Sequence, residues 1–208
     1  MSYNGQFTQL CAIRRSDPIA ADTLTAAAAR RARAAGLKLA GVLQRDLHRP
    51  GRRRCDMDLI DLATGRIIRI SEDRGNLARG CRMNTGALAE VAEMVEDAIR
   101  TGAPDLVILN KFAKAEEEGG GMRDAIAAAV SQGIPLLMSV GTQAVPALEQ
   151  FAGELVTLID ADEALVGAWL SAHFGGRIGR FLLPGEFVSW SPRADGVASG
   201  TTRHQPSM

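Results

Sequence analysis

The side chains best suited to chemistry cluster between residues 45 and 82. This segment carries ten arginines against six acids, a local excess of +4. Arg52, Arg53 and Arg54 run directly into Cys55 and Asp56, and Arg79-Gly80-Cys81-Arg82 pairs guanidinium and thiol again. Arginine forks suit planar or tetrahedral oxyanions, and a helix opening just after Arg82 would itself attract an anion. The segment therefore reads either as a solvated basic loop or as an anion site. A neighbouring guanidinium lowers a thiol's pKa and raises its reactivity. Cys55 and Cys81 are thus plain small residues, ligand contacts or reactive thiols. As metal ligands they are a weak pair, 26 positions apart with no Cys-x-x-Cys spacing.

A second group follows an apolar run. Asn110 and Lys111 end it, Lys114 and Glu116 come next, and Arg123 stands on the following helix. Lys111 at a strand end, joined by Arg123, can meet an oxyanion; the competing reading is a Lys–Glu surface network. The candidate ligand-binding set is therefore Arg52, Arg53, Arg54, Cys55, Asp56, Arg79, Gly80, Cys81, Arg82, Asn110, Lys111, Lys114, Glu116 and Arg123. No catalytic residue is assigned. The three histidines, His48, His173 and His204, are scattered and read as structural or surface residues.

The phosphate-binding motifs are missing. Lysine occurs only at Lys38, Lys111 and Lys114, and none follows a glycine, so G-x-x-x-x-G-K-[ST] cannot be written anywhere in the chain. The connection where it would lie is Arg14-Arg15-Ser16-Asp17-Pro18, and Asp17 there would repel an anion. No G-x-G-x-x-G opens a helix. Gly119-Gly120-Gly121 reads as a hinge or, less directly, as a cradle.

These residues must be held by a framework, and the hydrophobic pattern supplies one. Strands are expected at residues 7–13, 37–44, 105–109, 134–140 and 155–159. Short apolar runs such as 105–109 mark strands buried on both faces. Helices are expected at 19–35, from Asn84 or Thr85 to Gly102, at 122–132 and 146–151, and from a cap at Asp160 to His173. Ser16-Asp17-Pro18 is a helix start, and Gly36 a stop. Residues 56–62 and 66–70, joined by Ala63-Thr64-Gly65, read as a β-hairpin. Alternating strands and helices imply a three-layer α/β fold with a mostly parallel sheet. Ligands then bind beyond the carboxyl ends of the strands, in loops 14–17, 45–55 and 110–121. The loop at 71–83 is a fourth place. We expect an α/β domain over 1–174 and an irregular tail over 175–208, its last dozen residues disordered.

Composition sets the outer limits. The 208 residues carry 24 basic and 24 acidic side chains. A zero balance disfavours general nucleic-acid binding. Three distant cysteines suggest a reducing, cytoplasmic setting, with Cys11 as a core residue. No apolar run is long enough to span a membrane, and residues 1–7 lack the apolar stretch of a signal peptide. The arginine excess over lysine fits codon bias as well as oxyanion chemistry; only position separates the two.

Four motifs carry a family resemblance: Arg-Pro-Gly-x-x-x-Cys-Asp-Met-Asp-Leu (residues 49–59), Ile-Ser-Glu-Asp (70–73), Ala-Arg-Gly-Cys-Arg (78–82) and Leu-Asn-Lys-Phe-x-Lys-x-Glu (109–116). Together they resemble a bacterial family of unknown function, described as nucleoside-triphosphatase-like or molybdenum-transport-related. The resemblance spans residues 7–151. It implies a P-loop-NTPase-like fold, with residues 107–116 where such enzymes carry a strand ending in Asp-Glu-x-Gly. Ala113 departs from the glycine usual in the family. Without the Walker lysine and the acidic pair, the implied function is a non-hydrolysing binder of an oxyanion or nucleotide, with molybdate or a nucleotide as ligand. The alternatives are an enzyme acting on nucleotides or a cofactor precursor, and an interaction protein that docks on a transporter or molybdoenzyme. A homo-oligomer is compatible with each.

Overall fold

The computed structural model describes residues 7–48, 55–72 and 83–178. The chain begins with β1 (Leu10–Arg14), α1 (Pro18–Ala34) and β2 (Leu39–Leu47), followed by the hairpin β3 (Asp56–Asp61) and β4 (Ile67–Arg69). Next come α2 (Thr85–Gly102), β5 (Leu106–Phe112), the single turn α3 (Lys114–Glu117) and α4 (Arg123–Ser131). β6 (Leu136–Val140), α5 (Val145–Ala152), β7 (Val156–Ile159) and α6 (Glu163–Phe174) complete it.

The strands form one seven-stranded sheet in the order β4-β3-β2-β5-β6-β1-β7. β2, β5, β6, β1 and β7 are parallel, and the hairpin adds two antiparallel pairings at one edge. The expected α/β class, mostly parallel sheet and hairpin insertion are all present. Alternate strand residues feed opposite cores. Cys11 and Ile13 join Ala21, Ala28 and Ala32 of α1 and Trp169 of α6. Leu10 and Ala12 join Val91, Val95 and Ile99 of α2, Ile126 of α4 and Leu148 of α5. The completely buried alanines of α1 let that helix lie close to the sheet.

Local chemistry explains most boundaries. Asp17 caps α1 and Asn84 caps α2 with side-chain oxygens. The cap of α6 is Asp162, not Asp160: Asp162 Oδ1 accepts from Ala164 N at 2.7 Å and Leu165 N at 3.2 Å. Two further differences touch the carboxyl end of the sheet. β5 runs on to Phe112 through an irregularity in its pairing with β6 between Ile108 and Lys111. The following stretch, read as a polar loop, contains α3, too short to leave a periodic signal. β2 also outruns its expected end. Its first residues pair with β5 and its later ones with β3. Gly41 sits at that transition with φ +106°, where a Cβ would overlap the Ile108 carbonyl. Among the described residues no helix is long and apolar enough to cross a membrane. The expected irregular tail lies, from residue 179 on, outside the described residues.

Candidate functional site

The connection after β1, where a phosphate loop would open, is closed by the chain's own groups. Asp17 Oδ1 accepts from Ile19 N at 2.9 Å and Ala20 N at 3.1 Å. A carboxylate thus already holds the N–H groups that an anion would use at the start of α1. Arg15 bonds to Asp22 and lies 3.4 Å from Ser139 Oγ. Its backbone N–H donates to Val140 O at 2.9 Å.

The opening lies farther along the sheet, at the carboxyl ends of β2 and β5. A cavity of about 130 Å³ is lined by Val42 and Gln44 of β2, Leu59 of β3, and Ile70, Met83 and Leu88. Asn110 and Lys111 of β5, Ala113 to Glu116 and Met122 close it from the other side. Asn110 Nδ2 donates to Gln44 Oε1 at 3.0 Å, and Gln44 Nε2 donates to Asp46 Oδ1 at 2.6 Å. Ser139 Oγ donates to the Asn110 carbonyl at 2.6 Å. Hydrogen bonds therefore run laterally from Arg15 at β1 through Ser139 and Asn110 to Gln44 at β2, fixing four strand ends relative to one another. Lys111 is half-buried, and its ammonium makes no ion pair or hydrogen bond among the described residues. Its ammonium is available to a ligand. Lys114 is exposed and lies 3.5 Å from Glu118, so the Lys–Glu surface network runs through Glu118 rather than Glu116.

Glu116 is buried, at 5% exposure, and pins the loop that carries Lys114. Its Oε2 accepts from Ala113 N at 2.9 Å and its Oε1 from Met122 N at 3.0 Å. Two backbone donors satisfy a carboxylate that would otherwise be costly to bury. Gly121, at φ +61°, lies against it, and a Cβ there would overlap Glu116 Oε1. Arg123 donates to the Glu116 carbonyl at 3.1 Å and stacks over Phe151 at 4.1 Å. Its guanidinium is engaged in holding the loop.

In the hairpin, Asp56 and Asp58 are both buried. Arg45, Asp58 and Arg69 stand in one cross-strand row. Arg45 Nη2 meets Asp58 Oδ2 at 2.9 Å; Arg69 Nε bonds to Asp58 and its Nη1 reaches Asp56 at 3.0 Å. Burial pushes the Asp58 carboxyl upward, but hydrogen bonds from Arg69 and then Arg45 outweigh it and hold the group below the usual carboxylate range. Asp56 is engaged with Arg69 and forms part of the hairpin's frame.

Of the residues singled out from sequence, the structure brings Asn110, Lys111, Lys114 and Glu116 to one cavity and places Arg123 behind its loop. Cys55 is half-buried just before β3. Arg52, Arg53, Arg54, Arg79, Gly80, Cys81 and Arg82 lie outside the described residues, and with them the Cys55–Cys81 metal pair. Among the described residues no cluster of three or more His, Cys, Asp or Glu could hold a metal. His173 packs against Trp169 with ring centroids 4.6 Å apart and planes tilted by 40°, its Nδ1 2.9 Å from the Trp169 carbonyl, a structural position. Sequence reasoning missed Gln44 and the apolar walls. A glutamine ending the apolar run 39–43 was the available signal; Val42, Leu59 and Leu88 look like any core residues.

Comparison with known proteins agrees with this fold. The model of the family described as "Protein of unknown function (DUF2478)" matches residues 10–169. The molybdenum import ATP-binding protein ModC 2 of Bradyrhizobium diazoefficiens is similar, at 34% identity over 148 residues. That is 71% of this chain but 16% of the relative, so the chain spans about a sixth of the length of the curated protein it matches. The crystal structure of THEP1 from the hyperthermophile Aquifex aeolicus superposes with a TM-score of 0.53 at 14% identity, covering 74% of this chain and 90% of that one. This likeness shows the α/β, P-loop-NTPase-like fold.

Proposed function

The chain belongs to the DUF2478 family, and from that premise we propose that it is a non-hydrolysing binding protein for an oxyanion or nucleotide, held at the carboxyl ends of β2 and β5. The observation that carries the reading is Lys111: a half-buried ammonium, unpaired among the described residues, beside Asn110 in a cavity at the ligand end of the sheet. Arg52, Arg53 and Arg54, and Arg79 and Arg82, join the reading through the chain. The first segment follows β2, and the second leads to Met83, which lines the cavity. Two observations support binding without hydrolysis. The chain contains no Gly-Lys for a phosphate loop, and Asp17 occupies the first N–H groups of α1. Molybdate enters as a ligand through the relative's name and through its chemistry, since a tetrahedral dianion suits lysine and arginine donors.

Isothermal titration with molybdate, tungstate, ATP and GTP tests this. Heat with at least one of them is expected, weakened about tenfold or more in Lys111→Ala, where one charge-assisted contact is lost. No heat with any ligand overturns the reading. Phosphate release from ATP or GTP that disappears in Lys111→Ala replaces it with an enzyme. A second reading, docking on a transporter, is favoured by the match within an import ATP-binding protein. Charge reversal at Arg52, Arg53 and Arg54 that leaves a transporter pull-down unchanged counts against it.

A further inference from the structure

The cavity beside Lys111 has walls that a bare oxyanion does not need. Val42, Leu59, Ile70, Leu88 and Met122 present apolar surface. A dianion pressed against such walls would lose its water with little in return. The polar groups are few and come from adjacent strand ends. After the Asn110–Gln44 and Gln44–Asp46 hydrogen bonds are made, Asn110 Oδ1 and one N–H of each amide keep no partner among the described residues. An acceptor and donors side by side on carboxamides match the edge of a nitrogen heterocycle, as Asn and Gln match adenine. The volume, about 130 Å³, is somewhat below the roughly 150 Å³ of a cavity known to hold a single benzene ring, so it takes one ring of a fused heterocycle and leaves the other in the adjoining groove.

We propose that this cavity takes a planar heteroaromatic ring of purine type, carried by the same ligand whose anionic group Lys111 holds. The proposal rests on the reading of Lys111 above and adds the chemical class of the rest of the ligand. The neighbouring groove, about 710 Å³, shares Met83, Leu88, Lys114 and Ala115 with the cavity. Glu93 and Asp124 also line its rim and make no ion pair among the described residues. That acidic rim repels the ligand's charged end and turns it toward Lys111 and Lys114.

The test is a titration of the full chain with guanosine, adenosine, GMP, inorganic phosphate and molybdate, each alone. At least one nucleoside should bind without any phosphate. Its Kd should rise about tenfold in Asn110→Ala, the loss of one edge contact. Binding should be abolished in Leu88→Trp, where the indole fills the cavity from half-buried α2. Lys111→Ala should weaken GMP more than it weakens the nucleoside. Molybdate or phosphate binding with no nucleoside binding overturns this proposal and leaves the oxyanion reading standing; no binding by any probe overturns both. Nucleoside binding indifferent to Asn110→Ala and Leu88→Trp also overturns it. If Leu88→Trp fails to fold, the wild-type and Asn110→Ala titrations decide.

Discussion

At the scale of single residues, the site depends on how buried polar groups are satisfied. Among the described residues Glu116 has no counter-charge; two backbone N–H groups hold it, and Gly121 gives it room. Gly121→Ala is expected to destabilise the protein by about 1–3 kcal/mol, through overlap and a left-handed backbone together. A shifted urea midpoint would show it; an unchanged midpoint would contradict the account of this loop. Burial pushes the Cys11 thiol up, so Cys11 should resist alkylation in the native protein and react only on unfolding. Rapid native labelling of Cys11, read by mass spectrometry of its peptide, would contradict this. The legibility of the site was uneven for a physical reason. Asn110 and Lys111 stand out because a polar pair ends an apolar run. Val42, Leu59 and Leu88 do not, because a cavity wall and a packed core use the same side chains, and only coordinates tell which have a gap in front of them.

At the scale of elements, caps and periodicity carried most of the information. Asn84 was readable as the start of α2 because Val91, Val95 and Ile99 follow at helical spacing, and Asn84 Oδ1 accepts from Ala87 N at 2.9 Å. The other end falls at Gly102, as expected, and the left-handed residue just beyond it is exposed Ala103, at φ 44°. Two substitutions on one helix should therefore have opposite signs. Asn84→Ala should cost about 1 kcal/mol, and Ala103→Gly should gain about 0.5–1 kcal/mol by removing a Cβ from a left-handed position. Thermal melts of the pair check both, and shifts of the same sign would sink the argument. The hairpin was visible as alternation, but its inner row was not. Charged residues at Asp56 and Asp58 look solvent-facing until Arg45 and Arg69 are seen to cover them. α3 escaped notice because four residues cannot show a period.

At the scale of the whole molecule, the zero net charge conceals carboxylates whose ionised forms the fold prefers. Asp58 is held low by Arg69 and Arg45 against the upward push of burial. Asp105 is held low first by the Lys38 N–H and then, against burial, by Arg177. A carboxyl depressed in the folded state contributes stability above its unfolded pKa, about 3.9. It loses that contribution as pH falls through the lower folded value. Stability should thus hold near neutrality and fall below about pH 4. Asp58→Asn should lower stability at pH 7 by about 2 kcal/mol, discounted because its arginine partners are partly exposed, and should flatten the acid limb. Urea midpoints across pH 2.5–7 (about that range brackets the titration) would show it; an equally steep limb in the variant would contradict the assignment. The class of fold was the most legible feature of all, since buried strands alternating with helices leave few arrangements. Which strand end is open was legible only in part: Asp17 spoke against the first connection, but the gap beside Lys111 leaves no pattern in the sequence.

We propose that the ligand meets the sheet at the gap between β2 and β5, not at β1. Amide chemical-shift mapping tests it most directly, with the labelled chain titrated by molybdate and, in a second sample, by GMP. The account predicts that the largest shifts fall at Gln44 and over residues 110–116, and that they vanish in Lys111→Ala for the anion. Shifts centred on residues 14–20, at the start of α1, or no shifts with either ligand, would contradict it.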